Sequence, residues 1–596
     1  MLAFEHYIML ADKLNDAERI GTPVEVTLEQ IADALHCTPR NAKLVLRRLK
    51  EDGLIEWQAG RGRGNRSRLS FMASKENVLL EMTRQYADKE DYKQAFDLLQ
   101  RYGSGTQAAD KFTDWLSGSF GFAKEQGEDN VVKDTLRLPL SKAILTLDPA
   151  ECLYSLDGHM TQQFFDKLVR YDDEADRILP QLSHAWESNA EATEWTFHLR
   201  KGILFHNGKE LKAEDVIFTF NRIRSGKRNS WLLRSLIAAE AVTERAVRFR
   251  LIKPNRIFPR FLCSISLSIL PANFAGQDEA AFWKHPVGTG PFQMEEWTDE
   301  RFVMNANTRY YQGRPHLDSV ILVFMPSSAP SQALWQQQFL GPGGELEEVP
   351  QEEWQRTDSG HCCTSLLTWN MNKEGVHQSE PFRRAVDLLI DRRRMIDELG
   401  ERRFQGAKGY FREEQDQPKE GEGELNQEAA KLLLLQDNYG GTPITIGTYG
   451  HHSRDAEWIQ QQCASAGIAV QIRYEHHENI QHASVRKDMD AILHALVFPE
   501  KEVCMIENYE QDGSFVKEYQ TADWQAWISE QIDSALACEH REDRLSLLSV
   551  IENRLKQASH LSFLLHSTFQ RFSSPSYKGI GTNSHGWIDF KDIWMP

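Results

Sequence analysis

The sequence predicts a multidomain chain in which a small α+β winged helix-turn-helix precedes a much larger α/β body. Three observations carry that prediction. At 596 residues the chain is too long for one hydrophobic core. A basic island near the N-terminus has the order of elements of a winged helix. Beyond about residue 131, strand-like alternation runs into hairpin turns and helix starts.

The formal net charge is -18, but it is uneven. From His36 to Met72 nine Lys and Arg residues face only Glu51, Asp52 and Glu56, a local +6. A basic island on an acidic chain predicts one local surface for a polyanion, with an acidic remainder that discourages nonspecific spreading along DNA.

The elements follow in order. The first 16 residues read as an amphipathic helix, because Glu5, His6 and Asp12 interrupt the apolar residues. They lack the basic start and cleavage site of a signal peptide. Thr27-Leu-Glu-Gln30 is a capping box, and Leu28, Ile31, Ala32 and Leu35 form one apolar stripe. His36-Cys37 makes a short turn. Thr38 caps a second helix with Pro39 in its first turn. There Ala42, Val45, Leu46 and Leu49 form the buried stripe, and Arg40, Lys43, Leu44, Arg47 and Arg48 point away from it. Asp52-Gly53 ends the helix, Leu54 to Trp57 alternates as a strand, residues 58–65 make a flexible basic tip, and Arg66 to Phe71 returns as a second strand.

This is helix-turn-helix geometry with a wing, and it predicts binding to double-stranded DNA. Arg40, Lys43, Arg47 and Arg48 are expected at base edges or phosphates, with Leu44 near a thymine methyl. Arg61, Arg63 and Arg66 on the wing are expected at phosphate or the minor groove.

The expected division is a winged helix over 1–72, a helical connector over 73–130 and a body over 131–596. In the connector Tyr92, Ala95, Phe96 and Leu99 recur at helical spacing, and Gly103-Ser-Gly105 breaks the helix, a natural hinge. The pattern fits a packing spacer and equally a dimer or signalling helix pair, so a homodimer stays open. Gly127 to Asn130 marks the expected boundary.

In the body, Trp195, Phe197 and Leu199 alternate as a strand, Asn207-Gly208 is a hairpin-type turn, and Lys212 to Arg222 starts a helix. Three ordered segments resemble the family-5, peptide/nickel class of solute-binding proteins. They are Ile178 to Phe218, Pro286 to Pro315 and Leu367 to Asp391, with their Trp-Thr-Phe-His-Leu-Arg-Lys-Gly, Val-Gly-Thr-Gly-Pro-Phe and Thr-Trp-Asn runs. The resemblance covers the chain after the connector. It implies a two-lobed α/β periplasmic-binding-protein-like fold of class II that closes on a ligand, with lobe crossings near Leu366–Asn372 and Leu561–Arg571. A winged helix directly before this fold is similar to the SgrR family of bacterial transcription regulators. That implies DNA binding by the first domain and small-molecule sensing by the second.

Peptide-binding relatives hold the ligand's ammonium with an aspartate just after a strand. The corresponding stretch, Asp490 to Pro499, has the strand but no Trp or Asp after it. The expected ligand is therefore a sugar phosphate, a modified peptide or a similar small molecule. Trp369, Asn370, Tyr449, His494 and Phe498 are the candidate ligand-binding residues.

The histidine pairs 451–452 and 476–477 point to opposite sides of a strand and make poor chelates, so no metal or cofactor is expected. Family analogy leaves nickel or haem sensing open. No GxSxG elbow, HExxH helix or phosphate loop suggests catalysis, and the chain is expected not to be an enzyme. Scattered cysteines, no spanning segment and no export signal predict a cytoplasmic, reduced protein without a membrane contact. The reading is a cytoplasmic ligand-responsive transcription regulator. Its rival is an extracytoplasmic peptide- or metal-binding receptor of an ABC importer.

Overall fold

The computed structural model describes the chain except residues 1, 15–19, 61–65, 127–131, 141, 153–154, 173–174, 331–354, 401–402, 413–421, 499 and 582–587. Arg61, Arg63 and the expected boundary at 127–130 thus lie outside the described residues.

The N-terminal unit begins with helix α1 (Leu2–Leu14), strand β1 (Pro23–Val26), helices α2 (Leu28–Ala34) and α3 (Pro39–Glu51), and strands β2 (Ile55–Gln58) and β3 (Ser67–Phe71). The three strands form an antiparallel sheet with β3 in the centre. Both helix starts follow the sequence chemistry. The Thr27 hydroxyl accepts from Gln30 N while the Gln30 side chain accepts from Thr27 N. Thr38 accepts from Asn41 N, with Pro39 in the first turn. Strand β1 had no separate signal in the sequence: its four residues form a strand because β3 offers them an edge.

Residues 73–130 differ from a connector between two cores. Helices α4 (Lys75–Ala87), α5 (Tyr92–Tyr102) and α6 (Ala108–Ser117) pack into the same core as α1–α3. Leu79, Met82, Phe96, Leu99 and Phe112 are buried together with Ile31, Leu46, Leu49, Leu69 and Phe71. Polar contacts tie the same pieces: the Tyr7 hydroxyl donates to Ala73 O at 2.6 Å, and Lys75 pairs with Asp12 at 2.5 Å. An apolar stripe must bury against something. Here the partner is the winged helix itself, so the first unit extends to about Phe120. The Gly103–Gly105 break is an exposed turn between α5 and α6, inside this one unit.

Strand β4 (Gly121–Gln126) then pairs antiparallel with β5 (Val132–Leu140), from Gly121↔Arg137 to Gln126↔Val132. The expected boundary therefore lies between two strands of one sheet. Strand β4 forms one edge of a five-stranded sheet completed by β5 and strands Ser319–Phe324, Arg301–Ala306 and Phe292–Trp297.

That sheet and a four-stranded antiparallel sheet of residues 183–251 build the N-lobe. In the second sheet, strand Glu194–Leu199 buries Trp195, Phe197 and Leu199 in alternation, as its sequence predicts. The C-lobe holds a six-stranded mixed sheet. Its central strand Ala491–Val497 is apolar apart from His494, as suits a strand covered on two sides. The chain enters this lobe along Gln355–Trp369 and leaves along Leu561–Ser573, paired from Gln355↔Ser573 to Thr368↔Leu561. Tyr577, Phe590 and Ile593 then return to the N-lobe core. Among the described residues no helix is long and apolar enough to cross a membrane.

Candidate DNA interface and ligand cavity

On α3 the buried residues are Ala42, Val45, Leu46 and Leu49, and Arg40, Lys43, Leu44, Arg47 and Arg48 are all exposed. Arg40, Lys43, Leu44 and Arg47 recur at i, i+3, i+4 and i+7, one continuous stripe opposite the core. Leu44 is 52% exposed, a large apolar side chain with no core to fill. Arg47 lies 3.8 Å from Glu51 in an exposed i,i+4 pair that costs little to break. Arg48 sits at the edge of the stripe near His6 of α1, whose pKa is lowered by burial first and by the Arg48 charge second. Arg66 is exposed at the start of β3.

Between the two lobes lies a cavity of about 510 Å³. Its N-lobe wall includes Lys167, Arg170, Trp231, Arg260 and Tyr310; its C-lobe wall is one face of the helix Lys501–Glu510. Glu500, Val503, Cys504 and Glu507 recur at i, i+3, i+4 and i+7 along that face. Asp166 is fully satisfied: it accepts from Gln181 at 2.8 Å and from Tyr310 and Thr289 at 3.0 Å. Burial nevertheless pushes its carboxyl up to about 6. Arg260 donates to Glu500 at 2.7 Å and to Asp176 at 2.9 Å, and Glu500 also caps its own helix through Val503 N. Cys152, Cys263 and Cys504 line the cavity as free thiols, and desolvation raises the pKa of all three. No cluster of three or more His, Cys, Asp or Glu among the described residues has the geometry to hold a metal ion.

The five residues expected to bind ligand do not line this cavity. Trp369 is completely buried, edge-on to Phe382 in the layer on the far face of the C-lobe sheet. Asn370 is a turn residue, donating to Met489 O at 3.0 Å and accepting from Asn372 N at 3.1 Å. His494 bonds Thr368 at 2.9 Å, and burial pushes its imidazole down to about 3. Phe498 packs at an angle against Tyr410 and Phe411 in the core. Tyr449 is half-buried near His452 and Phe515. All five belong to one lobe, whereas the cavity draws its wall from unconnected segments of both. The one signal that could have found Glu507 is the acidic i,i+7 repeat just after the strand.

Polar and apolar contacts join the N-terminal unit to the body. Glu90, in the turn between α4 and α5 at φ +61°, accepts from Arg137 of β5 and from Arg301, each at 2.9 Å. Val323, Met325 and Ala329 of the body complete the core of the N-terminal unit. Between segments of the two halves of the body, Arg234 pairs with Glu510 at 2.6 Å and with Asp533 at 2.8 Å, and Lys253 pairs with Asp533 at 2.5 Å.

Comparison with known proteins agrees with this architecture. Residues 177–499 match the family model described as bacterial extracellular solute-binding proteins, family 5, middle. Residues 3–118 match that of the sugar transport-related sRNA regulator N-terminus. The uncharacterized protein YhjP of Bacillus subtilis is 32% identical over the whole of both chains. The HTH-type transcriptional regulator SgrR of Yersinia enterocolitica is 24% identical over 96% of each. Among solved structures, the periplasmic binding protein DppA of Helicobacter pylori, in complex with a peptide, superposes with a TM-score of 0.67 at 21% identity. It covers 77% of this chain and 98% of that one. The binding protein AgaA of A. tumefaciens, in complex with agropinic acid, gives 0.66 at 20% identity, over 78% and 99%. With an SgrR-type N-terminal unit running to residue 118 and a two-lobed body behind it, the chain belongs to the SgrR family, built on the family-5 solute-binding fold.

Proposed function

We propose that this chain is a cytoplasmic DNA-binding transcription regulator whose affinity for DNA responds to a small molecule held in the interlobe cavity. One observation carries the reading most: the exposed basic stripe on α3 belongs to a unit whose core is completed by Val323, Met325 and Ala329 of the body. A lobe movement therefore has a stiff route to the DNA face. The name of the Yersinia relative supports the regulator half of the reading.

The test begins with selection of bound fragments from genomic DNA by the full chain. Enrichment of a defined sequence is expected, together with its loss in the double variant Arg40→Ala, Arg47→Ala. Undiminished selection by that variant would remove α3 from the interface and with it the reading. The structural relatives, periplasmic binding proteins, favour a second reading as an importer receptor. Cell fractionation decides between them: recovery with the cytosol supports the regulator, and recovery outside the membrane supports the receptor.

A further inference from the structure

Six charged residues form one network that crosses between the lobes. The N-lobe supplies Asp176, next to the strand Arg177–Pro180, and Arg260 of the helix Phe258–Phe261. The C-lobe supplies Glu500 and Glu502 at the start of the helix Lys501–Glu510. It also supplies Arg541 and Arg544, from the helix that leads into the strand Leu561–Ser573. Two arginines make the crossing, one from each side. Arg260 donates to Glu500 at 2.7 Å and lies 3.9 Å from Glu502. Arg541 donates to Asp176 and lies 3.4 Å from Glu502. Three cations meet three anions. The side chains of Asp176 and Arg541 are 33% and 37% exposed, whereas those of Arg260 and Glu500 are 12% and 10% exposed and line the cavity. The network thus runs from solvent to the cavity wall.

Each half of it also has a partner within its own lobe. Arg260 donates to Asp176 at 2.9 Å and stands 5.3 Å from the Tyr171 ring, whose hydroxyl donates to Asp176 at 2.8 Å. Glu502 accepts from Arg544 at 2.5 Å, and Glu500 caps its own helix at Val503 N. Breaking a buried ion pair is costly when one charge is left stranded. Here separation of the lobes strands none of the buried charges, and water reaches Arg541. The far end of the same helix differs. There Arg234 meets Glu510 at 2.6 Å, Asp533 at 2.8 Å and the Ser529 hydroxyl at 2.6 Å, all from the C-lobe. Among the described residues no group of its own lobe bonds the Arg234 guanidinium.

We propose that Asp176, Arg260, Glu500 and Arg541 form a releasable latch at the entrance of the cavity, and that breaking it admits and releases the ligand. The latch sets the balance between open and closed lobes with the chain's own charges, and a ligand shifts a balance already set. Asp176 and Arg541 act without touching the ligand. In treating the occupant as a signal the latch rests on the sensor reading. Its test uses neither ligand nor DNA, so the two fail separately: loss of DNA selection would remove the regulator and leave the latch standing.

The test is thiol accessibility in the full chain. Cys263 and Cys504 line the cavity from the two lobes, and Cys463 is buried in the C-lobe core. A polyethylene-glycol maleimide is far too bulky for a cavity of about 510 Å³, so it reaches the first two only when the lobes part. Loss of each unmodified cysteine peptide is followed by mass spectrometry. Asp176→Asn and Arg541→Gln are each expected to speed modification of Cys263 and Cys504 about tenfold or more, the size of one hydrogen bond to a charged group. Cys463 should keep its wild-type rate. The double variant should fall short of the product of the two effects, because both remove one shared contact. Unchanged rates at Cys263 and Cys504 in both variants would overturn the latch. Equal acceleration at Cys463 would overturn it too, since the fold and not the lobes would then be opening, as would a double variant that multiplies the single effects.

Discussion

Single residues divide the α3 face from the wing. Arg47 is exposed at the centre of the stripe with only Glu51 near it, so Arg47→Ala should cost about 1–3 kcal/mol in binding and relax preference at one base. Arg66, at the start of β3, should instead weaken all sequences alike, with the slope of log affinity against log salt falling by about one on Arg66→Ala. Competition titrations over several salt concentrations separate the two, and identical behaviour would refute the division. In the cavity wall, Glu507 keeps its proton to higher pH when folded than when unfolded, its carboxyl rising from 4.5 to about 7. Its contribution is therefore present at acid pH and lost as pH rises through about 7. Relative to wild type, Glu507→Gln should gain stability across that window by up to about 3 kcal/mol, less for solvent in the cavity. Denaturant midpoints measured from pH 4 to 8 check it; an offset that does not change with pH would contradict it.

At the scale of elements, the winged helix was legible because its signals are local. Capping chemistry at Thr27 and Thr38 and the stripe through Ala42 and Leu49 each act within a few residues. The stripe of α5 was equally legible, but its partner was not: a sequence shows that Phe96 and Leu99 must be covered, not by what. The same holds for the cavity. Trp369 stands in a recognisable Thr-Trp-Asn run, yet strand alternation turns it toward Phe382, and the residues that reach the cavity come from segments more than three hundred positions apart. The shared core makes a prediction about fragments. Residues 1–72 alone leave the cover of α4 missing, and should populate a folded state far less than residues 1–120. Met82→Ala in the longer fragment should cost about 2–5 kcal/mol, because the side chain is fully buried. Circular dichroism melts of the two fragments and the variant test this; equal stability of 1–72 and 1–120 would mean that α4–α6 are dispensable.

In the whole molecule, communication between cavity and DNA should pass through Glu90, which joins the N-terminal unit to Arg137 and Arg301. An insertion at Gly103–Gly105 leaves that clasp and the shared core in place, so it should preserve coupling. Glu90→Gln should leave both binding activities intact and shrink the ligand-dependent change in DNA affinity, whose ordinary size is about 5–150-fold. DNA titrations with and without ligand, on wild type and both variants, check it; a Glu90→Gln chain with full response would rule the clasp out as the route. The same union constrains how the protein is made. The N-terminal unit leaves the ribosome first, but its core is finished by Val323, Met325 and Ala329, about two hundred residues later. At the usual pace of about 5–20 residues per second, the DNA-binding end waits some tens of seconds with an apolar surface uncovered. During synthesis that end is the part most dependent on protection by chaperones.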